Sequence, residues 1–214
     1  MNNFLKELKT ESGRYFYRNE LAVTDRSGAV CGNLEPISLK EFNETSNQLK
    51  LVEWHKASEG SHLLRVPLYD LEITNMLKLT YLSDNPGILF FITTISGQKI
   101  GHIGLNRVSA NSAELCSLVR GESGGQPRLI EFAERALLKF CFNQMHLRQI
   151  YFTILSTNLK AIHLHKRVGF EITAEQALLR EELKGHTRHT FVKAEMSNVP
   201  YRCLIMSLKS GDFL

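Results

Sequence analysis

From Ile88 to Phe170 the chain switches between two kinds of hydrophobic spacing. Ile88 to Ile95 is a β-branched and aromatic run, and Ser96-Gly97-Gln98 separates it from Lys99-Ile100-Gly101-His102-Ile103-Gly104-Leu105. Ala110-Asn111-Ser112 then separates that segment from Ala113 to Val119. Short apolar runs joined by tight turns predict an antiparallel meander. Beyond Val119 the period lengthens. Leu129, Phe132, Ala133, Ala136, Leu137 and Phe140 recur at steps of three and four, the apolar face of a helix starting at Pro127. Gln149 to Leu155 reads as a further buried strand, and the run from Asn158 as a shorter helix closed by Gly169-Phe170.

The flanks carry weaker patterns. Arg14-Tyr15-Phe16-Tyr17-Arg18 suggests a short strand, and Arg26-Ser27-Gly28 a turn. Asn33 to Ile37 suggests an edge strand, followed by Ser38 as an N-cap with Glu41 completing a capping box. The next helix carries Phe42, Leu49, Val52 and Trp54 toward the core. A loop from Gly60 to Pro67 leads to a helical run from Leu71 to Leu82, stopped by Asp84-Asn85-Pro86-Gly87. After Phe170 the pattern blurs until Tyr201 to Leu208, a final strand. This order of elements predicts an α/β sandwich with a mixed sheet. Residues 1–32 read as an N-terminal extension packed on a domain of residues 33–214.

At 214 residues, 43% hydrophobic and 22% charged, the chain can bury a real core. A net charge of +4 without a dense basic block gives no support to nucleic-acid binding. Cys31, Cys116, Cys141 and Cys203 form no CxxC pair, and Cys116 and Cys141 lie in apolar segments, which suits buried free thiols. No run has the length of a membrane span and the start lacks the apolar core of a signal peptide, so a cytoplasmic protein is expected.

The chemistry concentrates in the turn Arg120-Gly121-Glu122-Ser123-Gly124-Gly125, between the run ending at Val119 and the helix that follows. Glycines let the main chain approach a ligand closely. The helix points its free N–H groups and positive dipole end at the turn, and Arg120 adds a donor fork suited to phosphate. Glu122 would repel an anion if it pointed inward, so it is expected to face solvent.

The segment from about Gly97 to Phe170 resembles the general N-acetyltransferase (GNAT) superfamily. The Arg-Gly-x-x-Gly-Gly turn and Asn158-x-x-Ala161-Ile162-x-Leu164-x-x-x-x-Gly169-Phe170 carry the resemblance. It implies a GNAT-like α/β fold with a mixed, mostly antiparallel sheet flanked by helices, and acetyl-CoA as co-substrate. It also implies that the cofactor lies between the strand before the turn and the strand after the helix. By the same resemblance, the backbone of Leu118 and Val119 holds the pantetheine arm, with the pyrophosphate on Arg120, Gly121, Ser123, Gly124 and Gly125. The family's usual turn would place glycine where Ser123 stands, so Gly124 implies a shifted or longer loop. Asn158 corresponds to a cofactor-contacting asparagine and is equally a good helix cap.

His165 stands where many relatives have the tyrosine proposed to protonate the departing thiolate. Histidine can serve as that acid, but Ala161, Ile162, His165 and Val168 share one helix face, and a buried structural histidine is an even rival. Glu114 and His102 are the candidate bases, each with a rival reading as a solvated strand residue. No metal is expected: His163 and His165 do not share a helix face, and His186 and His189 read as surface residues. The acceptor expected is a small-molecule amine, with a nucleotide-linked amino sugar favoured over a protein N-terminus or lysine. A homodimer is left open. A non-catalytic acyl-CoA sensor and a phosphate-binding regulatory domain are the rival classes.

Overall fold

The computed structural model describes residues 2–10, 21–58, 69–82, 87–183 and 186–213. The expected strand at Arg14–Arg18, the loop from Gly60 to Pro67 and the stop at Asp84-Asn85-Pro86 lie outside them. β1 (Ala22–Thr24), β2 (Val30–Pro36), β3 (Ile88–Thr94), β4 (Lys99–Asn106) and β5 (Ser112–Arg120) form an antiparallel series. β6 (Gln149–Leu155) joins β5 in parallel. Beyond it come the hairpin of β7 (Glu171–Leu183) and β8 (His186–Val192), and β9 (Arg202–Lys209), which lies antiparallel between β6 and β7. Together they make one nine-stranded sheet in the order β1-β2-β3-β4-β5-β6-β9-β7-β8.

Both faces of the sheet are covered at β3, which is why that strand is buried at every position and reads as a continuous apolar run rather than an alternating one. Phe90 and Ile92 face a core shared with α1 (Asn2–Leu8), α5 (Leu129–Asn143) and α6 (Leu159–Val168). Leu89 and Phe91 face a second cluster with α2 (Leu39–Phe42), α3 (Thr45–Ala57) and α4 (Asp70–Leu77). A π-helical turn, Lys78–Leu82, continues α4 and buries Tyr81 in that second cluster.

The meander, the capping box on Ser38 and the apolar face of α5 agree with the sequence. Several expectations are corrected. β2 is not an edge strand: β1 pairs with its outer side. Beside it, Leu5, Leu8, Leu21 and Val23 pack into the main core. Leu49 is exposed, whereas Leu51, Val52 and Trp54 are buried. The blurred stretch after Phe170 is the β7–β8 hairpin, whose first strand is mostly exposed and so shows little apolar alternation. The helix after the glycine turn starts at Leu129 rather than Pro127, with Arg128 as its N-cap in the left-handed region at φ 68°. His189 is part-buried and bonded through Nε2 to the Tyr201 hydroxyl at 2.7 Å, not a free surface residue.

Candidate active site

β5 and β6 pair at only three positions, Ser112 with Gln149, Ala113 with Ile150 and Glu114 with Tyr151. β5 then continues to Arg120 and β6 to Leu155 while each stays paired on its far side, to β4 and β9. The backbone edges of Leu115–Arg120 and Phe152–Leu155 therefore face a fork that no strand fills among the described residues. Leu118 and Val119 lie on this open edge.

A bulge sits in β5 at the fork. Gly104 pairs with Cys116 and His102 with Val119, so Ser117 and Leu118 together oppose Ile103. Ser117 takes φ 51°, a conformation uncommon for a residue with a side chain. Its carbonyl accepts from His102 Nδ1 at 2.7 Å, and its hydroxyl lies 2.6 Å from the Tyr81 hydroxyl. Tyr81 also reaches Cys116 Sγ at 3.2 Å. Burial, with Cys116 adding to it, raises the Tyr81 hydroxyl well above its ordinary value, and burial pushes the Cys116 thiol up to about 12. Both groups stay protonated at neutral pH.

The glycine turn closes the wide end of the fork. Gly121 and Glu122 donate their N–H groups to the Ile100 carbonyl. The Trp54 ring of α3 lies directly on the Cα of Gly121. Gly124 and Gly125 take φ 130° and 67°, where glycine is required. Among the described residues, the backbone N–H groups of Ser123, Gly124, Gly125 and Gln126 meet no acceptor, nor do those of Ile130 and Glu131 in the first turn of α5. Six unengaged donors at a helix N-terminus make a fitting anion cradle. Arg120 donates to the carbonyls of Glu122 at 3.3 Å and Gly124 at 2.9 Å, so it braces the turn as well as charging it. Gln98 adds a bond to the Ser123 carbonyl at 3.1 Å. Glu122, expected to face solvent, is instead ion-paired with Lys50 of α3, whose hydrogen bond holds its carboxyl below the ordinary range.

The remaining candidates are spread along the fork, with Glu114 at its narrow end, His102 opposite Val119 and Asn158 beyond the far end of β6. Asn158 caps α6, its side chain accepting from the Ala161 N–H at 3.3 Å. Glu114 is the last β5 residue paired to β6, with its side chain 14% exposed and 3.5 Å from Arg107. Burial raises its carboxyl, and the charge of Arg107 only partly offsets this. His102 is 1% exposed and its ring is stacked on Trp54 at 6.0 Å, so neither candidate base is a solvated strand residue. His165 is 5% exposed, 4.1 Å from the Phe152 ring, with Nδ1 2.5 Å from Glu134 Oε1. Tyr81, Ser117, Gln98 and Glu134 were not among the sequence candidates. Only Glu134 left a signal, a charged residue beside the apolar face of α5.

Residues 36–171, well over half of the chain, match the profile of the Acetyltransferase (GNAT) domain. The protein belongs to the GNAT acetyltransferase family. As a GNAT enzyme it is an N-acetyltransferase with acetyl-CoA as co-substrate, and the fork and donor-rich turn fit such a ligand. No curated protein sequence matches it. Solved structures share the fold at low identity. A probable GNAT-family acetyltransferase from Chromobacterium violaceum has 16% identity and a TM-score of 0.62, covering 90% of this chain and 88% of its own. A putative acetyltransferase from T. thermophilus has 12% identity and a TM-score of 0.60, covering 86% and 88%. The spermidine N-acetyltransferase of Vibrio cholerae, solved with CoA and spermine, has 18% identity and a TM-score of 0.55, covering 85% and 96%. Among the described residues of this GNAT chain, no helix is long and apolar enough to cross a membrane.

Proposed function

We propose that this enzyme acetylates the primary amine of a small molecule, with the cofactor lying in the fork between β5 and β6. The parting of the two strands after Glu114 and Tyr151 carries this reading. Acetyl-CoA supplies the acetyl group as a thioester. The open backbone edge at Leu118 and Val119 pairs with the amide-bearing arm and offers an N–H to the acetyl oxygen, where negative charge develops. The free N–H groups from Ser123 to Gln126, with Gly124, Gly125 and the charge of Arg120, hold the pyrophosphate, while Gly121 seats the turn on Trp54. Asn158 fixes the start of α6 beside the arm.

Glu114 takes a proton from the incoming ammonium, directly or through one water. A carboxyl raised by burial binds that proton better than a solvated one would. His102 serves instead by bracing the bulge, since its Nδ1 is committed to the Ser117 carbonyl. His165 is the proton donor to the leaving sulfur. Within the small amines, a nucleotide-linked amino sugar is the acceptor favoured by the Gly101–Leu105 stretch and the turn. A polyamine is the second reading, drawn from the spermine held by the Vibrio cholerae relative.

Calorimetry and thermal unfolding with acetyl-CoA test the cofactor. Saturation at roughly a hundred times Kd should stabilise the chain by about 2.7 kcal/mol. Release of free thiol across a panel of nucleotide amino sugars, polyamines and N-terminal peptides, with product masses, identifies the acceptor. Binding of acetyl-CoA without turnover of any amine would favour the sensor reading. No heat and no stabilisation at millimolar acetyl-CoA would overturn the proposal.

A further inference from the structure

Glu134 lies on α5 with no exposed surface, and its Oε1 is 2.5 Å from His165 Nδ1 on α6. Its second oxygen, Oε2, is buried and has no hydrogen-bond partner among the described residues. One turn away, Glu131 is as deeply buried but differently used: Arg128, Arg135 and Arg167 surround it. Burial pushes the Glu131 carboxyl up, and the hydrogen bonds of Arg128 and Arg167 outweigh that and hold it below the ordinary range. These arginines engage Glu131, whereas Glu134 engages His165. The imidazole also packs against two aromatic rings, Phe152 at 4.1 Å and Phe170 at 5.8 Å.

Phe152 is the first residue of β6 beyond the last position paired to β5. The His165 ring thus sits against the narrow end of the fork. A purely structural contact here would be served by apolar side chains without leaving a carboxylate oxygen unpartnered. Polar groups left unsatisfied in a core call for a reason, and such costs collect at functional sites. A carboxylate on one imidazole nitrogen also decides where the mobile proton sits. With Nδ1–H committed to Glu134, the proton that can be given or taken is on Nε2.

We propose that Glu134 is a positioning residue, which holds His165 so that Nε2 delivers the proton to the departing thiolate. This rests on the acetyl-transfer reading of the fork. In the step, the amine nitrogen bonds to the acetyl carbon, the carbon–sulfur bond breaks, and its electron pair leaves with sulfur. His165, entering the step with both ring nitrogens protonated, gives its Nε2 proton to that sulfur while Nδ1–H stays on Glu134, which leaves the ring neutral. Of the two protons lost by the ammonium nitrogen, one passes through Glu114 to solvent and the other restores the Nε2 proton of His165 through solvent.

Two measurements test the pair. Nitrogen-15 NMR of the ligand-free protein, assigned with His165→Gln, should find the neutral ring protonated on Nδ1. A ring protonated on Nε2, with Nδ1 bare, would overturn the proposal whatever the kinetics. In turnover, Glu134→Gln keeps the shape of the side chain and should lower kcat roughly tenfold or more, without exceeding the 10²–10⁴ expected for losing the acid itself. KM and acetyl-CoA affinity should stay within twofold. In a His165→Tyr background the same Glu134→Gln change should cost less than twofold, because a phenol does not need the carboxylate. An equal loss in both backgrounds, or wild-type kcat in the folded single variant, would refute the pairing. A wild-type enzyme that acetylates no amine would count against the acetyl-transfer reading, and the Nδ1 result would still decide the geometry.

Discussion

Replacing Gly121 by alanine tests how the turn is held. A Cβ at this position would lie 2.1 Å from Trp54 Cγ and Cδ2, closer than side chains pack. The Gly121 backbone is not in the left-handed region, so any effect comes from the added methyl and not from strain in φ. Neither partner can step aside. Trp54 is 3% exposed, edge-on to Phe91 at 6.3 Å, stacked with His102 at 6.0 Å, and has Lys50 Nζ 5.7 Å from its ring centroid. The Gly121 N–H is bonded to the Ile100 carbonyl at 2.9 Å. Overpacking of this kind costs about 1–3 kcal/mol. For a chain of this size that lowers Tm by roughly 2–12 °C, at about 2–4 °C per kcal/mol.

Acetyl-CoA affinity should fall as well, because the same shift moves the N–H groups of the turn. The decisive assay is a double-variant cycle read by thermal unfolding and calorimetry. Trp54→Leu alone is destabilising through lost packing, but it removes the ring atoms that the new methyl meets. Gly121→Ala should therefore cost at least about 0.5 kcal/mol less in that background than in wild type. An unchanged Tm for Gly121→Ala, or the same loss in both backgrounds, would refute the close approach of α3 to the turn.

Other consequences follow from the charges and thiols. Glu114→Gln should lower kcat by about 10²–10⁴ if Glu114 is the base. Its folded carboxyl is raised, so its stabilising contribution is present in acid and lost as pH rises through the folded value; the glutamine variant should be no less stable than wild type at neutral pH. The Glu122 carboxyl is lowered by Lys50, so that ion pair stabilises at neutral pH and fails as pH falls through the folded value. Lys50→Ala should cost about 0.2–1 kcal/mol at pH 7, as expected for a partly exposed pair, with the difference vanishing in acid. Burial pushes Cys203 to about 11 and Cys116 to about 12, and raises Cys31 and Cys141 as well. Iodoacetamide at pH 8 should label none of the four until the chain unfolds, as read by intact mass; alkylation of Cys116 in the folded enzyme would contradict its packing.

The parts of the fold that sequence pattern reveals are those whose residues share one environment along one element. β3 is buried on both faces and α5 along one, so Ile88–Thr94 and the Leu129–Phe140 spacing could be read directly. β7 has little apolar periodicity because it is largely exposed and is held by backbone pairing to β8 and β9. Leu49 misled because an apolar residue on α3 need not face inward; its neighbour Asn47 is buried instead, with its amide bonded to the Glu41 carbonyl at 2.8 Å. At the site, the turn and the Asn158 cap were legible because their residues are contiguous. The contacts from Tyr81 to Ser117 and from Glu134 to His165 were not, since each joins residues more than thirty positions apart.

Those distant contacts explain why the fork is a property of the chain itself. A left-handed conformation at a residue such as Ser117 costs about 1–2 kcal/mol, so it persists only where the surroundings hold it. Three segments do so: His102 of β4 holds the carbonyl, Tyr81 of the π-helical turn holds the hydroxyl, and Ile103 faces the two residues of the bulge. A bulge bends its strand and tightens the local twist. It stands three positions beyond Glu114, the last residue paired to β6, so it carries the rest of β5 along the course on which the two strands have parted. Tyr81 and His102 are themselves set by the cluster that includes Trp54, and Trp54 in turn fixes Gly121. The α2–α4 layer is therefore mechanically continuous with both the bulge and the glycine turn. A change in that layer should be felt as altered acetyl-CoA affinity even where no altered side chain reaches the cofactor.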